Sequence, residues 1–245
     1  MTPPRRSPYG RVVVLGLSWE GHNHRLLHGP VQNADQELNM VLNAFHSYGY
    51  AVERMLIPQS SRSRSQFPPT LERRLVQFTS RSVSTLIVLY YQGHGHVDRH
   101  GHLSLSNGNG AHMHWSEIAN AIINVRCDVL SIVNCCNAGA ALRSVVSRPN
   151  YENHIKEVMM AVPTGYKTTW GIASGFAACL EQALRNKHTN WDRNFDGSPW
   201  HWAEAINRIM REKGHRGGQV GVRELIRPPP SRAGRPIIMS PKSYC

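Results

Sequence analysis

Two short peptides carry residue types suited to covalent chemistry: Gln92-Gly93-His94-Gly95-His96 and Asn134-Cys135-Cys136-Asn137-Ala138-Gly139. Each follows an apolar run, TLIVLYY (85–91) and DVLSIVN (128–134), that reads as a strand buried on both faces. In open parallel sheets, ligands bind beyond the carboxyl ends of the strands. If these two strands are neighbours, an imidazole and a pair of thiols share one sheet edge. A thiol activated by an imidazole is a nucleophile–base pair. The Ala-rich peptide after the cysteines is helix-prone, and a cysteine at a helix N-terminus has its thiolate stabilised by unpaired backbone N–H groups. Gly95 could bring a backbone N–H close to a substrate carbonyl, as an oxyanion donor. Two cysteines buried as packing would look the same at this level.

The histidines carry a rival chemistry. His94, His96, Asp98 and His100 come close to the hydrolytic metal pattern His-x-His-x-Asp-His, but Arg99 breaks the spacing between Asp98 and His100. A metal site needs further ligands, and nothing ties His102, His112 or His114 to one. A polar His-rich loop is therefore expected, and no metal is assigned. Asp192-Arg193-Asn194-Phe195-Asp196-Gly197 resembles the start of an EF-hand loop, yet the twelfth position is Ala203 and Glu204 falls one residue late. A polar turn capping the next helix is the expected role.

The elements that must position these peptides alternate along the chain. RVVVLGL (11–17) is a fully apolar strand, and Ala34, Leu38, Val41, Leu42 and Phe45 share one face of a helix over 34–45. YAVERMLI (50–57) is the next strand. A polar loop follows through Pro68-Pro69, then a short helix capped by Thr70 with Leu71, Leu75 and Val76. Apolar side chains at 115, 118, 119, 122 and 123 again have helical spacing. Beyond Arg148-Pro149-Asn150 come a weaker strand at 157–162 and a helix with Phe176, Ala177, Leu180, Ala183 and Leu184. Ser198-Pro199 start a helix carrying Trp202, Ile206, Ile209 and Met210, and a last strand is expected at 236–239. This alternation predicts an α/β domain with a mostly parallel sheet and helices on both faces.

Composition narrows the class. The 245 residues are 40% apolar, which suits one core of moderate size and excludes a disordered chain. No apolar run approaches a membrane span and residues 1–10 lack a signal-peptide core, so no membrane partner is expected. Five cysteines without framework spacing read as free thiols, and the expected location is the cytoplasm, with the nucleus as the alternative. The net charge of +12 permits attraction to nucleic acid. No nucleic-acid motif accompanies it, and the densest clusters, Arg5-Arg6 and residues 60–65, lie in loop-like sequence without interleaved aromatics. A solvated basic surface is the reading, and a nucleic-acid partner is not expected.

Three segments together resemble the caspase-like cysteine peptidases, metacaspases above all. Tyr91-Gln92-Gly93-His94-Gly95 resembles their Y-S-G-H-G motif, and Asn134 to Gly139 resembles D-C-C-H-S-G. Leu27-His28-Gly29-Pro30-Val31-Gln32-Asn33-Ala34 resembles the L-x-G-C-x-N-D-A segment before the first helix. His94 lies 42 residues before Cys136, near the separation of about 50 noted for caspases. The resemblance covers element order from residue 11 to about 210. It implies a three-layer sandwich with a central sheet of about six strands. Residues 11–148 would be the large catalytic portion and 149–245 the small portion of the same domain, behind a flexible basic segment, 1–10. It implies Cys136 as nucleophile, His94 as general base, the N–H groups of Gly95 and Cys136 as oxyanion hole, and Cys135 as a structural neighbour.

The same resemblance implies peptide-bond hydrolysis in a protein or peptide substrate, with self-association left open. Metacaspases line the pocket for the substrate's P1 side chain with two aspartates, matched here by Asn33 and Asn134; a third position, usually Ser, matches Gln92. Caspases hold a P1 Asp with arginine, where this chain has Leu27. An uncharged pocket disfavours a charged P1 residue, because a buried unpaired charge costs several kcal/mol. A neutral, amide-bearing or apolar, P1 residue is expected. No cofactor is expected; calcium, which metacaspases usually use, remains open. The alternative is a caspase-like pseudo-protease acting as an interaction or scaffold module, motivated by the lost aspartates and by Asn137-Ala138 in place of His-Ser.

Overall fold

The inner strands of the sheet form where the sequence is almost continuously apolar, because both faces are covered there, whereas the edge strand AVERMLI is largely exposed or half-buried. A computed structural model describes residues 7–21, 34–79, 83–144, 154–168, 175–186, 195–215, 219–226 and 237–240. Its central sheet contains β1 (Arg11–Trp19), β2 (Ala51–Ile57), β3 (Thr85–Gln92), β7 (Asp128–Asn134), β8 (Lys156–Met160) and β9 (Gly221–Ile226). Their order is β2-β1-β3-β7-β8-β9, parallel throughout except for β9, which runs antiparallel to β8. The mixed α/β architecture with six strands and helices on both faces is the one expected from the sequence.

The two-residue period of each strand divides the core into two layers. Val12, Val14, Val88, Tyr90, Leu130 and Ile132 face α1 (Ala34–Ser47), α5 (Phe176–Arg185) and α6 (Pro199–Glu212). Their alternating neighbours, Val13, Leu15, Ile87, Leu89, Tyr91 and Val133, face α3 (Phe67–Phe78) and α4 (Trp115–Ile123). On α1, Leu38, Val41, Leu42 and Phe45 are buried as their spacing requires. Lys156 is fully buried where β8 begins; its ammonium donates to the carbonyls of Val125 (2.8 Å) and Cys127, tying the end of α4 to the sheet. Burial brings the pKa of this lysine down to about 8.

Four local expectations are corrected. The stretch through Pro68-Pro69 is not a loop: residues 61–65 form a short helix, α2 (Ser61–Ser65), and α3 starts at Phe67 with proline in its first turn. Proline is tolerated there because its missing N–H would have no intrahelical partner. Thr70 therefore lies inside α3, its hydroxyl donating to the Gln66 carbonyl (2.7 Å), and Val76 is exposed. The His-rich stretch is a loop only in part: residues 98–102 form a turn, while the flanking residues build a second, antiparallel sheet of β4 (His94–Val97), β5 (Leu103–Ser106) and β6 (His112–His114). Among the described residues the last strand is β9; residues 237–239 form no strand and instead pack as a buried segment, with the Met239 carbonyl accepting from the Trp202 indole (3.3 Å).

The start of α6 follows the sequence. Ser198 is the N-cap, its hydroxyl accepting from the His201 N–H at 3.4 Å, with Pro199 next. Asp196 accepts from the Ser198 N–H (2.8 Å) and lies 2.6 Å from His201 Nδ1, so the Asp/Gly turn is a helix-capping turn. Ser198→Ala is expected to lower stability by about 1 kcal/mol, the usual worth of such a cap. Chemical denaturation with unchanged m-value checks it; no shift in midpoint would contradict the cap.

Candidate active site

β3 and β7 are hydrogen-bonded neighbours, with Gln92 paired to Asn134 in register. The Gly93 N–H donates to the Asn134 carbonyl at 3.3 Å, extending the ladder one step further. His94 and Cys136 each follow this last pair by two residues. The topology thus places both at one carboxyl edge of the sheet.

The glycines around His94 have steric causes. Tyr91 is fully buried; its phenol donates to the His94 carbonyl (2.9 Å) and accepts from the Trp19 indole N–H (3.2 Å). A Cβ on Gly93 would overlap that phenol oxygen, so only glycine lets Tyr91 fold back beneath the turn. A Cβ on Gly95 would stand 2.5 Å from Cys135 Sγ and closer still to the Cys136 carbonyl. The backbone at Gly95 therefore lies directly against the cysteine turn. A Cβ on Gly108 would stand 2.8 Å from His94 Nε2 and Cδ2, so the imidazole rests on the β5–β6 turn. Asn107 builds that turn by accepting from the N–H groups of Asn109 (2.8 Å) and Ala111 (3.1 Å). Gly108 has φ +79°. The repeated Asn-Gly of residues 107–110 was the sequence signal for this support.

The two cysteines have different surroundings. Cys135 is fully buried on the α3/α4 side of the sheet, and burial, then the adjacent Cys136, holds its thiol well above the usual range. Cys136 is partly exposed. The chain turns sharply after it: Asn137 has φ 59°, the one non-glycine residue with positive φ among the described residues. Asparagine tolerates this left-handed conformation better than most residues. Its N–H donates to the Tyr166 carbonyl and its Oδ1 accepts from the Gly165 N–H, both at 2.9 Å. The expected helix N-terminus at Cys136 is corrected: Ala138–Ser144 is a single 3₁₀ segment starting two residues later. Burial lowers the pKa of His94 below 6.5, favouring the neutral imidazole.

At the same strand ends, on the α1 face, lies a chain of buried polar groups. Glu37 Oε2 accepts from Gln92 Nε2 at 2.8 Å. Gln92 Oε1 accepts from the Tyr90 hydroxyl (2.6 Å) and from Asn134 Nδ2 (2.6 Å), which also donates to the Tyr90 oxygen (3.1 Å). Asn134 Oδ1 accepts from the Thr168 hydroxyl at 3.2 Å. Gln92, Glu37 and Asn134 are all at most 3% exposed. Glu37 and Thr168 were missed in the sequence; Glu37 reads there as an ordinary acid in the first turns of α1, although it lies one helical turn beyond Asn33. Asn33 and Leu27 lie outside the described residues, as do 192–194 of the EF-like stretch.

Asp98 organises the His-rich sheet. Its Oδ1 accepts from the N–H groups of His100 (2.8 Å) and His102 (2.9 Å), and its Oδ2 lies 3.8 Å from Nδ1 of both His102 and His114. Among the described residues, no group of three or more His, Cys, Asp or Glu side chains could hold a metal ion. None of the described helices is long and apolar enough to cross a membrane.

No protein-family model and no curated protein matches this chain. Solved structures do. Protein GSU0716 from Geobacter sulfurreducens is similar over 95% of this chain and 100% of its own, with a TM-score of 0.63 and 12% identity. Caspase-1 from Spodoptera frugiperda is similar over 96% of this chain and 91% of its own, with a TM-score of 0.57 and 10% identity. The fold is caspase-like. At these identities the likeness speaks to the fold alone.

Proposed function

We propose that this chain is a cysteine endopeptidase of the caspase-like type, acting through Cys136 and His94. The observation that carries this reading is the in-register pairing of Gln92 with Asn134, which sends both residues off one sheet edge. In this reading the Cys136 Sγ–H gives its proton to the neutral His94 imidazole as sulfur attacks the peptide carbonyl. The N–H groups of Gly95 and Cys136 receive the developing oxyanion. The C–N bond breaks as His94 returns the proton to the leaving amine, leaving a thioester. Water then attacks, giving its proton to His94, and the thiol is restored as the carboxylic acid departs. No step of this chemistry requires a cofactor. In this reading Gln92 and Asn134 belong to the P1 pocket, and their neutral amides favour a non-basic residue.

Two tests follow from the chemistry. A peptide library incubated with the protein yields new amino termini after a restricted set of P1 residues; no cleavage with or without calcium would favour the scaffold reading. The second test is pH. Because burial disfavours the imidazolium, the working neutral form persists as pH falls, and kcat/KM drops only below the ordinary imidazole value of 6.5. An acidic limb centred at or above 6.5 would contradict His94 as the buried base.

A further inference from the structure

The chain of amides at the strand ends has a direction, and one residue sets it. An ionised carboxylate only accepts hydrogen bonds, whereas a side-chain amide both donates and accepts. Glu37 Oε2 accepts from the Nε2 end of Gln92 at 2.8 Å. That turns Gln92 Oε1 towards Asn134, which must answer with its own Nδ2. Tyr90 reinforces the order by donating to Gln92 Oε1 while accepting from Asn134 Nδ2. Asn134 is left presenting Oδ1, with the Thr168 hydroxyl beside it. Carbonyl oxygen has two acceptor sites, and Thr168 uses one.

We infer that Glu37 is a positioning residue that fixes the polarity of the P1 pocket through Gln92 and Asn134, and that the pocket consequently selects an amide-bearing P1 side chain, Asn or Gln. The inference rests on the peptidase reading of Cys136. Asn134 stands two residues before Cys136, so a P1 side chain whose carbonyl lies at Sγ extends towards it. An amide N–H₂ donates to Asn134 Oδ1, and its carbonyl accepts from the Thr168 hydroxyl once that rotates. An Asp or Glu at P1 brings oxygen against oxygen and leaves buried acceptors facing each other. An Arg or Lys at P1 meets neutral groups first, because Gln92 stands between Asn134 and the Glu37 carboxylate. A desolvated cation without direct contact to an anion is disfavoured.

The test uses peptidyl ketone reagents identical except at P1, with Asn, Gln, Asp, Arg or Ala, and measures second-order labelling of Cys136. In the wild type, Asn or Gln is expected to label at least about tenfold faster than Asp and Arg, in line with sites built to hydrogen-bond their substrate. Glu37→Gln frees the amides to flip, and is expected to shrink the Asn-to-Asp ratio by about tenfold or more. The P1-Ala reagent serves as the internal reference: within this variant the Asn-to-Ala ratio is expected to fall together with the Asn-to-Asp ratio, whereas general structural damage would slow all reagents alike. Asn134→Asp serves as the second variant and should gain labelling by the Arg reagent. A wild-type preference for Arg or Asp, an unchanged ratio in Glu37→Gln, or no gain in Asn134→Asp overturns the inference while leaving the peptidase reading intact. No labelling of Cys136 by any reagent overturns both.

Discussion

Replacing Cys136 by Ala is expected to lower kcat/KM for peptide hydrolysis by about 10⁴-fold or more, the scale of removing a nucleophile that acts with its base as one unit. The adjacent thiol cannot substitute. Cys135 is fully buried on the α3/α4 side of the sheet, and burial keeps it protonated well above the usual thiol range. Cys135→Ala should accordingly retain the nucleophile. His94→Ala should cost as much as Cys136→Ala, and the double variant little more, because neither group acts without the other. Stopped assays with a cleavable peptide measure all four proteins. A Cys136→Ala protein with wild-type turnover would remove the dyad from consideration.

Gly95→Ala is expected to reduce kcat/KM by about 10²–10³-fold, the cost of misplacing one oxyanion donor. The added methyl would overlap the Cys136 carbonyl and press on Cys135 Sγ. Neither obstacle can give way easily: the first is backbone, and the second is a side chain without free volume around it. The strand β4 must therefore move away from the cysteine turn. This withdraws the Gly95 N–H and shifts His94, whose ring already rests on Gly108. The expected signature is a fall in kcat larger than any rise in KM. Gly110→Ala is the control for backbone strain in the hairpin: its Cβ would meet open space, while its φ of +94° costs about 1–3 kcal/mol in a side-chain-bearing residue. Equal losses in the two variants would mean that hairpin folding, rather than the approach to Cys136, decides the effect.

The parts of the fold most legible in the sequence were those governed by burial on both faces. β1, β3 and β7 read as continuous apolar runs, and α1 and α6 by their helical stripes, because two covering layers leave no solvent face to interrupt the pattern. The small sheet was hidden by its composition. His94, His96, His112 and His114 occupy strand positions that pattern reading treats as polar loop, and only Leu103, Leu105 and Met113 are buried anchors. β9 was hidden by its composition, since this antiparallel edge strand, GVRELI, carries Arg223 and Glu224 within its short apolar run. At the site, the strand-end peptides pointed to His94, Gly95 and Cys136 because their chemistry follows directly after apolar runs. Glu37 stayed hidden because its partner, Gln92, is 55 residues away and meets it only across the α1–β3 interface.

The most direct measurement of the central claim is intact-mass and peptide-mapping analysis after reaction with a peptidyl ketone. The expected result is one adduct per chain, on Cys136, absent from Cys136→Ala and from His94→Ala, and present in Cys135→Ala. Adducts distributed among Cys127, Cys135 and Cys179, or a Cys136 adduct whose rate is unchanged by removing His94, would contradict a dyad assembled at the ends of β3 and β7.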